Sequence, residues 1–289
     1  MAIRRPAVAG AFYAGSEGSL RRQIEWCFKH ELGPGEVPEP SEGPLKALVA
    51  LVCPHAGYMY SGPVAAHAYA RLAREGRPDV AIILGPNHMG LGSAVAICVG
   101  GSWRTPLGDV EVDKDVAEAI MDRAEIVAAD DEAHIYEHSI EVQLPFLQYL
   151  YGSSFRLVPI CMMFQDPRTS REVGSAIAGA IRDLGLNAIV IASTDLTHYE
   201  PQDVAERKDR AVINAVEALD VEGLYRAVEE LPVSMCGYGP VAAAITAARE
   251  LGATRGELLK YATSGDITGD RGSVVGYAAM ALARETADT

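Results

Sequence analysis

Four short apolar runs decide what this chain can fold into. They are LKALVALVC (45–53), DVAIILG (79–85), FRLVPICM (155–162) and NAIVIAS (187–193). Each is continuous rather than alternating, the pattern of a strand buried on both faces. Helical spacing follows or separates them at about 63–74, 113–123, 138–151, 169–185 and 201–218. Strands alternating with helices give βαβ units. The expected class is therefore α/β, with one central sheet, mostly parallel or mixed, flanked by helices. A helix from just after Ser16 to about His30 precedes the sheet, with Leu20, Ile24 and Cys27 at helical spacing. GPGEVPEPSEGPL (33–45) reads as the loop that follows it. A last helix, about 238–251, and two β-like runs, 257–263 and 273–282, close the chain; SVVGYAAMALA also fits a buried helix. No repeat or low-complexity tract interrupts the chain, and residues 1–289 read as a single domain.

Composition narrows the function classes. Nearly half of the residues, 49%, are hydrophobic, enough for a sizeable core. The formal net charge of −14 argues against nucleic acid, whose phosphates need clustered Lys and Arg. The start, MAIRRPAVAGAFYAG, is broken by Pro6 and Gly10 and does not read as a signal peptide. No run approaches the roughly 20 apolar residues that span a bilayer. The five cysteines, Cys27, Cys53, Cys98, Cys161 and Cys236, are scattered and form no CxxC. That usage fits a reducing cytoplasm rather than a disulfide framework.

The chemistry gathers at strand ends. In open parallel sheets, ligands bind beyond the carboxyl ends of the strands. LVALVC leads to Pro54–His55, VAIILG to Pro86–Asn87–His88, and AIVIAS to Thr194–Asp195–Leu196–Thr197–His198. Parallel strands would bring the three imidazoles to one edge. One loop histidine is as well explained by capping; three in corresponding places point to metal binding or proton transfer. Asp195 either orients the ring of His198 or closes an Asx turn or N-cap. Cys236 precedes a helix, where the dipole favours thiolate, although a lone Cys is more often a small buried residue. Cys53 reads as the core end of a strand. Trp103 and Tyr58 stand near the loops, as cleft lining or as packing.

A competing motif is His134–Ile135–Tyr136–Glu137–His138, an H-x-x-E-H pattern of inverted zinc peptidases. On one helix both rings would hold zinc and Glu137 would act as base. The polar segment AADDEAHIYEHS places the helix start near His138 instead, with His134 in the loop before it. GxGxxG, Walker A and G-x-S-x-G patterns are absent from the sequence, so nucleotide and hydrolase templates find no support.

At these residues the sequence resembles the Memo family, also called protein B of the AmmeMemoRadiSam system. The matching segments are RRPAVAGAFY (4–13), CPHAGYMYSG (53–62), LGPNH (84–88), EHSIEVQLPFL (137–147), STDLTHY (193–199), MCGYGP (235–240) and SGD…GSVVGYA (264–278). They span almost the whole chain in order. Ala14 departs from the proline common at that point of the family motif. The resemblance implies a fold like class III extradiol dioxygenases, which open catechol rings with non-haem Fe(II). It places His55 and His88 on the two histidine ligands and Cys236 where those enzymes carry glutamate. It places His198 on their acid–base histidine, with Asp195 and His138 as further pocket residues; Tyr58 and Asn87 complete the expected pocket. A thiolate is softer and more easily oxidised than a carboxylate, so Fe(II), Cu or Zn all fit, and metal-free protein is an expected preparation. The implied function is a metal-binding, redox-active protein of unknown substrate. The alternative is a non-catalytic module that takes a small molecule, a peptide or a phosphopeptide in the same cleft, with Arg4, Arg5 and Arg104 as local cations. The system's name adds AmmeCR1-like and radical SAM proteins as associated partners.

Overall fold

The computed structural model describes residues 3–285. Its strands are β1 (Ile3–Arg4), β2 (Leu48–Cys53), β3 (Val80–Pro86), β4 (Val95–Ile97), β5 (Ser102–Thr105), β6 (Gly108–Glu111), β7 (Val127–Ala129), β8 (Arg156–Met162), β9 (Ala188–Ser193), β10 (His198–Glu200), β11 (Arg255–Thr263) and β12 (Val274–Ala283). The four apolar runs become β2, β3, β8 and β9. They lie side by side in the order β2–β9–β3–β8, all parallel. Every residue of β2 and β3 is buried, as their uninterrupted hydrophobicity requires. Antiparallel strands flank this centre, β12 beside β2 and β4 beside β8. β10 and β11 pair with β12, and β7 with β4, completing a nine-stranded mixed sheet. β1, β5 and β6 form a separate small sheet.

Side chains alternate across the strands, so the sheet feeds two cores. Val49, Val52, Ile82 and Leu84 pack on one face with the helices Pro167–Leu184 and Tyr238–Glu250. Leu51, Cys53, Ala81 and Ile83 pack on the other with Glu17–Lys29 and Tyr58–Glu75. SVVGYAAMALA, open between strand and helix in the sequence, is a strand because both of its edges are paired, one with β2 and one with β11. Its small Ala residues then let helices approach from both sides: Ala279 and Ala281 face one core, Ala278 and Met280 the other.

Two helix boundaries differ from the sequence reading. The helix expected at 63–74 begins at Tyr58, with Pro63 inside it. The helix expected from about 138 is Leu144–Tyr151, preceded by a 3₁₀ turn at Glu141–Gln143. Pro145 sits in its first turn, where a missing N–H costs least, so the helix cannot extend regularly back to His138. A helix at Val221–Glu230, capped by the Asp220 side chain on the Gly223 N–H, was not foreseen. Among the described residues, no helix is long and apolar enough to cross a membrane.

Candidate metal centre

The loops after β2, β3 and β9 leave the same edge of the sheet because these strands are parallel neighbours. His55 and His88 each stand two residues past their strand. Cys236 reaches them from outside the sheet, on the turn entering Tyr238–Glu250, the helix that packs under β2, β3 and β9. Ligand atoms of His55, His88 and Cys236 all lie within 4.8 Å of one another.

Hydrogen bonds fix the protons of this cluster. His55 Nδ1 is 2.9 Å from Ser193 Oγ, whose own hydroxyl proton goes to the Ser139 carbonyl at 2.6 Å. A hydroxyl has one proton, so Ser193 accepts from Nδ1–H. His55 Nε2 is then bare and faces Cys236 Sγ at 3.2 Å. His88 Nδ1 lies 2.9 Å from Glu137 Oε1, and the backbone N–H of His88 donates to Glu137 Oε2 at 2.7 Å. Burial opposes ionisation of Glu137, but bonds from His88 and the Ser139 N–H hold its carboxyl down at about 2. It accepts, and His88 Nε2 is left free. Nδ1 of His198 donates to the Ser234 carbonyl at 2.8 Å, and its backbone N–H to Ser234 Oγ at 2.7 Å. In the neutral ring, this bonding puts the proton of all three imidazoles on Nδ1 against a protein acceptor and leaves the lone pair on Nε2. This is the arrangement by which outer partners orient metal-binding imidazoles.

Burial sets the remaining charges. It pushes His55 well below the ordinary histidine range, with the His138 and His88 rings adding to the effect. It also takes His138 down to about 4. The His138 ring stacks on His88 at 4.6 Å and meets His55 at 5.3 Å and Phe12 at 4.7 Å. Its Nδ1 is 3.5 Å from Glu137, so Glu137 stands between two imidazoles. These donors form the floor of a cleft of about 510 Å³, walled by Phe12, His198, Tyr199 and Val275. None of the described residues lining it is Lys or Arg.

Several sequence expectations change here. Asp195 does not orient His198: its carboxylate accepts the backbone N–H of His55 at 2.8 Å, and the carbonyl of Ser234 holds the His198 ring. Burial raises Asp195 to about 6, against that bond. The Cys236 thiol is not lowered by its position before the helix. Burial, reinforced by Asp195, pushes it up to about 12, and the thiol lies before the cap residue Gly237, outside the first turn. Among the five cysteines it alone keeps part of its surface exposed. Tyr58 is core, its hydroxyl bonded to the Val142 carbonyl at 2.6 Å. Asn87 shapes the loop rather than the cleft: Oδ1 accepts from Met89 and Gly90, and Nδ2 donates to the Leu91 carbonyl. Trp103 is buried under Arg4.

The peptidase motif does not assemble. His134 sits in its own 3₁₀ turn, fully buried, with both ring nitrogens unpaired by hydrogen bonds; among the described residues the groups that could hold an ion are His55–His88–Cys236 and His88–Glu137–His138, and His134 belongs to neither. Glu137 is occupied by His88. The local cations do not reach the cleft either. Arg4 is buried against Glu141, Arg104 is clasped by Asp109, and Arg5 is not part of the lining. Sequence reasoning missed Ser193, Ser234 and the orienting role of Glu137. Ser193 carried a signal, since it ends β9 directly opposite Cys53; Ser234, far from His198 in sequence, carried none.

A family model described as Memo-like protein matches residues 4–281. A MEMO1 family protein of Methanopyrus kandleri is 57% identical over 97% of this chain and 99% of its own length. One from Methanothermobacter thermautotrophicus is 55% identical over 96% and 99%. Among solved structures, an uncharacterized protein from Escherichia coli K12 shares the fold, with a TM-score of 0.50 at 17% identity over 81% of this chain and 99% of that one.

Proposed function

Since this chain belongs to the Memo family, we propose that it holds a divalent metal between His55, His88 and Cys236 and uses it for redox chemistry on a small ligand in the cleft above. The observation that carries this reading is the common tautomer. Each ring is locked by a protein acceptor at Nδ1, which leaves Nε2 of His55 and His88 unprotonated beside a thiol. The donor set fits a borderline metal: two imidazoles suit Fe(II), Cu and Zn, and sulfur favours the softer of these. Fe(II) is the leading choice because the expected counterpart in dioxygenases is a non-haem iron site. When bound, the ion would supply a Lewis acid and a one-electron couple at the cleft floor.

The remaining roles fall to the chain itself. Nε2 of His198, on the cleft wall and outside the ligand set, takes or returns a proton at the ligand. Asp195 fixes the backbone of His55. Phe12 and His138 pack together as apolar surface on one side of the cleft. With no Lys or Arg in the lining, the cleft suits a neutral ligand better than a phosphopeptide. The test is metal content after anaerobic purification, by elemental analysis of the wild type and of the His55→Ala/His88→Ala double variant. Stoichiometric metal in the first and none in the second is the expected result. Full occupancy in the double variant overturns the assignment.

A further inference from the structure

Tyr199 follows His198 on β10 and has a backbone that ordinary residues avoid. Its φ is +59°, in the left-handed region that a bulky side chain adopts only under constraint. The pairing of β10 with β12 shows the cause. His198 pairs with Val275 but Glu200 pairs with Val274, so Tyr199 is the extra residue of a β-bulge. Bulges re-aim side chains beside functional sites. This one is held at both ends: His198 by two hydrogen bonds to Ser234, and Glu200 by Lys208 Nζ at 2.6 Å. What the constraint presents is a phenol ring that is 78% exposed, makes no hydrogen bond among the described residues and lines the cleft. A protein gains nothing in stability by straining its backbone to expose an aromatic ring.

A second aromatic side chain, Phe12, lines the same cleft. It packs on His138 at 4.7 Å, with Val275 beside the bulge. The donors of the candidate metal site lie on the floor, and Lys and Arg are absent from the lining. We propose that Tyr199 is the specificity-determining wall of this cleft, its ring covering a flat aromatic ligand that carries no phosphate or carboxylate and whose oxygen atoms reach the floor. The proposal rests on the metal reading above and adds to it the selection of a ring over the same donor atoms without one. Stacking of two rings contributes beyond simple area burial, which gives Tyr199 a measurable share of ring affinity.

The test compares two oxygen chelators on zinc-loaded protein, where no redox step intervenes. One is 4-nitrocatechol, which has a ring; the other is acetohydroxamate, which does not. Zinc content is measured on every variant. Tyr199→Ala should bind 4-nitrocatechol about 3–10-fold more weakly, the range expected for one aromatic contact, with acetohydroxamate unchanged. Tyr199→Phe should keep the wild-type preference, because it keeps the ring. Tyr199→Gly removes the ring while relieving the left-handed strain, so it should match Tyr199→Ala and separate loss of the ring from misfolding of the bulge. An unaltered preference in both ring-less variants, or a wild type that binds zinc but not 4-nitrocatechol, overturns the proposal alone. A wild type that takes up neither zinc nor Fe(II) overturns the metal reading and this proposal with it.

Discussion

Two polar clusters share the segment between His134 and Glu141, and they differ in what they leave unbonded. Behind the segment, Arg4 is buried with one guanidinium nitrogen on Glu141, a second on the Glu137 carbonyl and a third on the His134 carbonyl, while its face covers Trp103. Glu141 also accepts from the N–H groups of Ala7 and Val8 and from the Tyr13 hydroxyl. In front, Glu137 and the imidazoles of His88 and His138 stand equally close, yet lone pairs remain free on the cleft side. A buried polar cluster that is fully satisfied fixes the chain; one satisfied on a single side holds reactive atoms in place. The first cluster ties residues 4–13 to the loop that shapes the second.

The largest expected effect breaks the rear cluster. Glu141→Ala leaves Arg4 buried with two carbonyl acceptors but no opposite charge, which should cost about 3–5 kcal/mol in chemical denaturation. A loss below about 1 kcal/mol would mean that Arg4 finds water or another acceptor and that the two clusters are not so different. The next largest falls on the front cluster. His88→Ala should abolish stoichiometric metal while changing the denaturation midpoint of metal-free protein far less than Glu141→Ala does, because the His88 side chain is 31% exposed. Equal destabilisation by the two would erase the contrast. Glu137→Gln sharpens it further. The ligands stay, but the acceptor that holds Nδ1–H of His88 is weakened, and metal affinity by chelator competition should fall about 10–100-fold. Unchanged affinity would show that the His88 loop needs no such partner. The smallest effect belongs to Ser234→Ala. It removes the hydroxyl that accepts the His198 N–H but keeps the carbonyl that holds the ring, so it should cost only about 0.5–1.5 kcal/mol, and the His198 tautomer seen by NMR should persist.

The contrast also explains what the sequence could and could not reveal. The histidines of the cleft that follow strands were legible, whereas Glu137 and His138 stand on an irregular segment. Continuous apolar runs announce parallel strands, parallel strands send their loops to one edge, and His55, His88 and His198 follow those runs directly. The rear cluster was not legible. Arg4 and Glu141 are separated by 137 residues, and each alone looks like an ordinary surface charge. The same distance hid Ser234 from His198 and gave Asp195 a partner it does not have, since a carboxylate three residues from an imidazole is close in sequence without being aimed at it. Short strands such as β4 and β7, three residues each, carry too little pattern to be read. The H-x-x-E-H motif could be set aside on sequence alone, because its spacing has meaning only on one regular helix and the polar segment around it leaves His134 ahead of any helix; the structure agrees, with His134 in a separate 3₁₀ turn.

The sulfur and the imidazole nitrogen that meet at 3.2 Å are 181 residues apart along the chain. Contacts of such separation close late in folding, after the entropy of a long loop has been overcome. An ion that needs His55, His88 and Cys236 together would thus find no complete binding site on an emerging or partly unfolded chain. Its affinity would add to the stability of the finished molecule alone, by mass action. An ion held this way would be acquired only once the cleft exists, and would be released as soon as that cleft is lost.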